Sequence, residues 1–73
     1  MRTRAEHLEW CKDRAQEYLL EGDVVNAITS MLSDIQKHPE TKLKNGHVLF
    51  QLGMMIISEG DIRRAAGFIE GFN

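Results

Sequence analysis

Apolar residues recur along this chain at the spacing of helices. Leu8, Cys11, Ala15, Tyr18 and Leu19 fall three or four positions apart and form one stripe. They predict a first helix from about Thr3 to Leu20, with Thr3 as its N-cap. Gly22 closes that helix, because glycine accepts the left-handed conformation at a helix end. Asp23 caps a second helix, whose buried face is Val24, Ala27, Ile28, Met31 and Ile35. Pro39 disfavours helical geometry in the residue before it, so this helix is expected to end near His38. A polar connection from Pro39 to Asn45 follows.

A third helix is expected from about Asn45–Gly46 to Ser58, with Leu49, Leu52, Gly53 and Ile56 towards the core. A fourth begins after Asp61 and carries Ile62, Ala65, Ala66, Ile69 and Phe72. Gly67 and Gly71 each weaken it by about 1 kcal/mol relative to alanine, so its end should fray. The pattern repeats. Glu21-Gly22-Asp23 returns 38 residues later as Glu59-Gly60-Asp61. At the same offset Tyr18 matches Ile56, Val24 matches Ile62, Ala27 matches Ala65, and Met31 matches Ile69. One hairpin cannot bury its own apolar face, so a second stacks on it. The reading is all-α: four short helices as two stacked antiparallel hairpins, about 3–38 and 45–72, in a single domain over 1–73.

Two resemblances build on these residues. Ala15, Tyr18, Gly22, Ala27 and Pro39, then Leu49, Leu52, Gly53, Ile56, Gly60, Ala65 and Ile69, resemble two units of the tetratricopeptide repeat. That likeness implies a concave groove. His47, Phe50, Met54 and Ile57 would line it from the third helix. Glu9, Lys12, Gln16, Leu19 and Leu20 would line it from the first. The opening from Met1 to Lys12, the stretch Ser33 to Thr41, the run Leu52 to Met55 and the ending Phe68 to Asn73 resemble short proteins encoded by tailed bacteriophages of actinobacteria. This second likeness implies a viral origin, and hence the cytoplasm of a host cell, but no activity.

Composition narrows the function. The chain of 73 residues has 42% hydrophobic and 27% charged residues and a net charge of −2. That balance is globular rather than disordered. It argues against nucleic acid, whose binding draws on phosphate neutralisation. The longest apolar stretch, Leu52 to Ile57, is far short of the ~20 residues a membrane span needs. No apolar run follows the first residues, so no signal peptide is expected.

No catalytic, cofactor or metal site is expected. His7 and Cys11 are four apart on one helix, but no second ligand pair accompanies them. Cys11 reads as a small core residue and the three histidines as surface groups. Two features point instead to a protein partner. Trp10 lies ~160° around its helix from the apolar stripe, so it is either covered by a neighbouring segment or a binding anchor. Phe50, Met54 and Ile57 form a second apolar face on the third helix, beside His47, and methionine suits adaptable surfaces.

The expected function is a non-enzymatic protein-interaction module using His47, Phe50, Met54, Ile57 and Trp10. Its partner would be a host protein or, in a homodimer, a second copy. The alternative is a helix-turn-helix DNA regulator reading through Arg63 and Arg64 on the fourth helix.

Overall fold

The computed structural model describes residues 3–43 and 47–72. They form α1 (Arg4–Leu20), α2 (Val24–Ile35), α3 (Val48–Glu59) and α4 (Ile62–Glu70). Thr3 starts α1 with a reciprocal capping box. Its hydroxyl accepts the Glu6 N–H at 3.1 Å, and its own N–H donates to the Glu6 carboxylate at 3.0 Å.

The repeated turn works as its chemistry predicts. Gly22 has φ of +75°. Its N–H donates to the Leu19 carbonyl at 2.9 Å, and the Asp23 N–H donates to that of Tyr18 at 2.9 Å, the Schellman arrangement. Asp23 then caps α2 by accepting the Asn26 N–H at 3.0 Å. That bond, together with one from the Asn26 side-chain amide, holds the Asp23 carboxyl below its ordinary value. Gly60 has φ of +68°, and Asp61 caps α4 by accepting the Arg63 N–H at 2.9 Å.

Helix α2 ends at Ile35, before the expected His38. Side chains take over the chain direction there. The Thr41 hydroxyl donates to the Ile35 carbonyl at 2.5 Å, and Gln36 accepts the Leu43 N–H at 2.7 Å. The first satisfies a helix-end carbonyl, and the two together bend the chain into a turn. The described part of α3 starts at Val48, and the His47 ring caps it by accepting the Leu49 N–H through Nδ1 at 3.1 Å. The expected start at Asn45–Gly46 lies outside the described residues. Helix α4 runs through Gly67 and ends at Glu70.

The hairpins α1–α2 and α3–α4 stack, with α2 and α4 each touching all three other helices. Among the described residues α1 and α3 share no contact, so they flank the α2–α4 pair from two sides. The first-helix positions Glu9, Gln16 and Leu20 therefore do not form one packed wall with Phe50 and Met54. The core is Cys11, Ala15, Ala27, Ile28, Met31, Ile35, Ile56, Ala65 and Ile69, with Leu8, Val24 and Leu32 at its edge. Ala27 and Ala65, and Met31 and Ile69, are buried alike, as their shared offset implies. Val24 and Ile62 diverge: Val24 is buried and Ile62 is 43% exposed. Gly53 lets α3 approach α2 closely. A Cβ there would sit 2.8 Å from Leu32 Cδ1 and 3.1 Å from Ile28 Cγ2.

Candidate interaction surface

Helix α3 turns Gly53 and Ile56 into the core. Leu49, Leu52, Phe50 and Ile57 are half-buried on its flanks, and Leu52, Phe50 and Ile57 pack against the core. Its outward side carries Val48 (65% exposed), Met54 (57%) and Met55 (56%). Of the expected contact residues, Met54 is thus the open one. Phe50 and Ile57 present only part of their surface, and half-buried His47 is engaged as the cap of the helix. Met55, which the helical-spacing reading passed over, is as exposed as Met54. Its signal was present in the sequence: Val48, Met55 and the polar Gln51 share the side opposite Gly53.

Trp10 belongs elsewhere. It is half-buried on α1, its ring stacked on His7 with centroids 5.5 Å apart. Arg14 Cζ lies 4.9 Å and Lys37 Nζ 5.6 Å from the Trp10 ring centre. Such cation–π contacts are each worth about 0.5–1 kcal/mol, enough to hold the indole against its own chain. The covered reading of Trp10 is the one this geometry fits, and it does not join the α3 face.

What organises this corner is Asp34, a residue the pattern of apolar positions gave no reason to single out. Its side chain is only 2% exposed. It accepts from Arg14 Nε at 2.7 Å, Lys37 Nζ at 3.0 Å and the Ser30 hydroxyl at 3.3 Å. A buried carboxylate needs such partners, because desolvation alone would disfavour its charge.

Two histidines expected at the surface are buried here. His7 Nε2 donates to the Asp34 carbonyl at 2.8 Å, and His38 Nδ1 accepts the Glu40 N–H at 3.0 Å. Their rings lie 5.2 Å apart. Each has a backbone partner that removes the penalty of burial, which is why apolar spacing did not reveal them.

Chemistry at this corner is limited. Cys11 is fully buried, and burial first, then the charge of Asp34, pushes its thiol up to about 11. A thiol held protonated is a poor nucleophile. Among the described residues no group of three or more His, Cys, Asp and Glu side chains is placed to hold a metal. No described helix is long and apolar enough to cross a membrane. On α4, Arg64 Nη1 donates to both oxygens of Glu59 at 2.5 and 2.7 Å, so its charge is met within the chain.

Comparison with known proteins adds no relative. No protein-family model, curated protein or solved structure matches this chain.

Proposed function

We propose that this protein is a non-enzymatic interaction module whose contact surface is the outward face of α3, centred on Met54 and Met55. The observation that carries the reading is the exposure of Val48, Met54 and Met55, each more than half open, on one twelve-residue helix. Large apolar side chains grouped on one element of a small chain favour a partner over water. Methionine, flexible and polarizable, suits a partner helix or an extended apolar segment. Phe50, Ile57 and His47 form the rim of this face. The likeness to short phage proteins supports a host protein as the partner.

The test is a pull-down from bacterial lysate with wild-type protein and with Met54→Asp/Met55→Asp. The double variant should keep the wild-type melting temperature and lose the captured protein. Undiminished capture by the folded variant, or unfolding of the variant, overturns the reading.

A further inference from the structure

The turn that leaves α2 is held by a histidine ring. His38 is 4% exposed, and its Nδ1 accepts the Glu40 N–H at 3.0 Å. The His38 carbonyl accepts the Thr41 N–H at 3.1 Å and the Lys42 N–H at 3.0 Å. One residue thus anchors the turn through both its ring and its backbone. A ring nitrogen that accepts carries no proton, so the bond to Glu40 exists only while the ring is neutral and protonated on Nε2.

The His38 ring is packed rather than solvated. The ring of His7, also 4% exposed, lies 5.2 Å from it, and Trp10 stacks on His7 in turn. The titratable and charged groups of this corner are His7, Cys11 and Arg14 from α1, Asp34 and Lys37 from the end of α2, and Glu40 from the turn. Asp34 meets the ring pair through its backbone carbonyl, which takes the His7 Nε2 proton at 2.8 Å, while its carboxylate is engaged by Arg14 and Lys37. Cys11 keeps its proton and adds no charge.

We propose that His38 is an acid-sensitive latch: a proton taken up at Nδ1 displaces the Glu40 N–H and releases the turn after α2. The proton comes from water, and no covalent bond of the chain changes. Two N–H groups would then face each other, and a charge would be buried beside His7; both disfavour the folded turn. The sign follows from which form makes the bond. The neutral ring holds the turn, so the latch is closed above the ordinary histidine range of about 6.5 and opens as pH falls through it. Carboxylates ordinarily titrate at about 4, outside that window. The latch is separate from the Met54–Met55 face and does not rest on that reading.

Urea unfolding at pH 7.5 and 5.5, with amide exchange followed by NMR, tests it. The wild-type folding constant should fall by up to about tenfold over the unit below 6.5, the limit for one proton. His38→Asn puts an amide oxygen in the place of Nδ1 and does not titrate, so most of that fall should disappear. His47, which accepts the Leu49 N–H through Nδ1 but is only half-buried, is the internal comparison: His47→Asn should leave most of the fall in place. At pH 5.5 the Glu40 amide should lose at least about threefold of its protection relative to the Asn26 amide, which Asp23 caps. The proposal is overturned if the wild type is equally stable at both pH values, if His38→Asn loses as much as the wild type, if His47→Asn alone abolishes the loss, or if Glu40 keeps its protection. If His38→Asn does not fold, the ring nitrogen shifts of the wild type decide. Loss of Glu40 protection with the midpoint of His38 Nδ1 protonation supports the latch, and a Glu40 amide still protected after that protonation overturns it.

Discussion

The two hairpins share a turn sequence but not an interior. Nine of the twelve buried apolar residues among those described belong to α1 and α2, and only Ile56, Ala65 and Ile69 belong to α3 and α4. The buried polar residues His7, Asp34, His38 and Thr41 sit in the first hairpin and the turn that leaves it. The second hairpin exposes Val48, Met54, Met55 and Ile62, against Leu20 and Val25 in the first. The contrast locates most of the buried core in one hairpin. The first hairpin supplies the core against which the second leans, and the second is left with apolar surface to offer outwards.

The sharpest way to break this comparison is to remove core volume. Ile28→Ala or Met31→Ala in α2 should each cost about 2–5 kcal/mol. A core of this size rarely supplies more than roughly 3–5 kcal/mol in total, so either variant should be largely unfolded at 25 °C by circular dichroism. If either variant keeps its wild-type melting temperature, the core does not lie where the burial places it.

Glycine substitution sharpens the contrast within the second hairpin. Gly53→Ala should cost about 1–3 kcal/mol, because its methyl would press on Leu32 and Ile28. Gly67→Ala should gain up to about 1 kcal/mol, since it adds helix propensity and meets nothing. Urea midpoints should therefore move in opposite directions.

A smaller effect is expected at Asp34. Asp34→Ala releases Arg14 and Lys37, both about half exposed and able to turn to water, so the loss should be about 1–2 kcal/mol. Trp10 emission should shift to the red as its covering cations loosen. The least energetic probe is Cys11. With its thiol pushed up to about 11 from the ordinary 9.0, alkylation of the folded protein at pH 8 should run roughly a hundredfold slower than in urea. Equal rates would show that α1 does not bury it.

The helices were legible because their signals are local. Thr3, Asp23 and Asp61 cap, Gly22 and Gly60 close, and the apolar period of each segment points one way. The buried repeat pairs Ala27–Ala65 and Met31–Ile69 were readable for the same reason. Asp34 was not, because a carboxylate among apolar neighbours reads as surface until Arg14 arrives from another helix. His7 and His38 escaped similarly, since their burial depends on backbone partners that only the fold brings near. The end of α2 was missed because Thr41 and Gln36 act at a distance of six or seven residues. Of the expected contact face, Met54 is the exposed residue. How far Phe50 and Ile57 of that face are covered is not readable from a helical wheel, which does not show how closely α2 and α4 flank α3.

If Met54 and Met55 serve the surface and not the fold, polar residues should replace them at no cost to stability. Equilibrium urea unfolding of Met54→Ser/Met55→Ser beside wild type tests it most directly. Stability should be unchanged to within about 0.5 kcal/mol, as for ordinary surface positions, with the same slope. A loss of 2 kcal/mol or more, the signature of a core substitution, would contradict it.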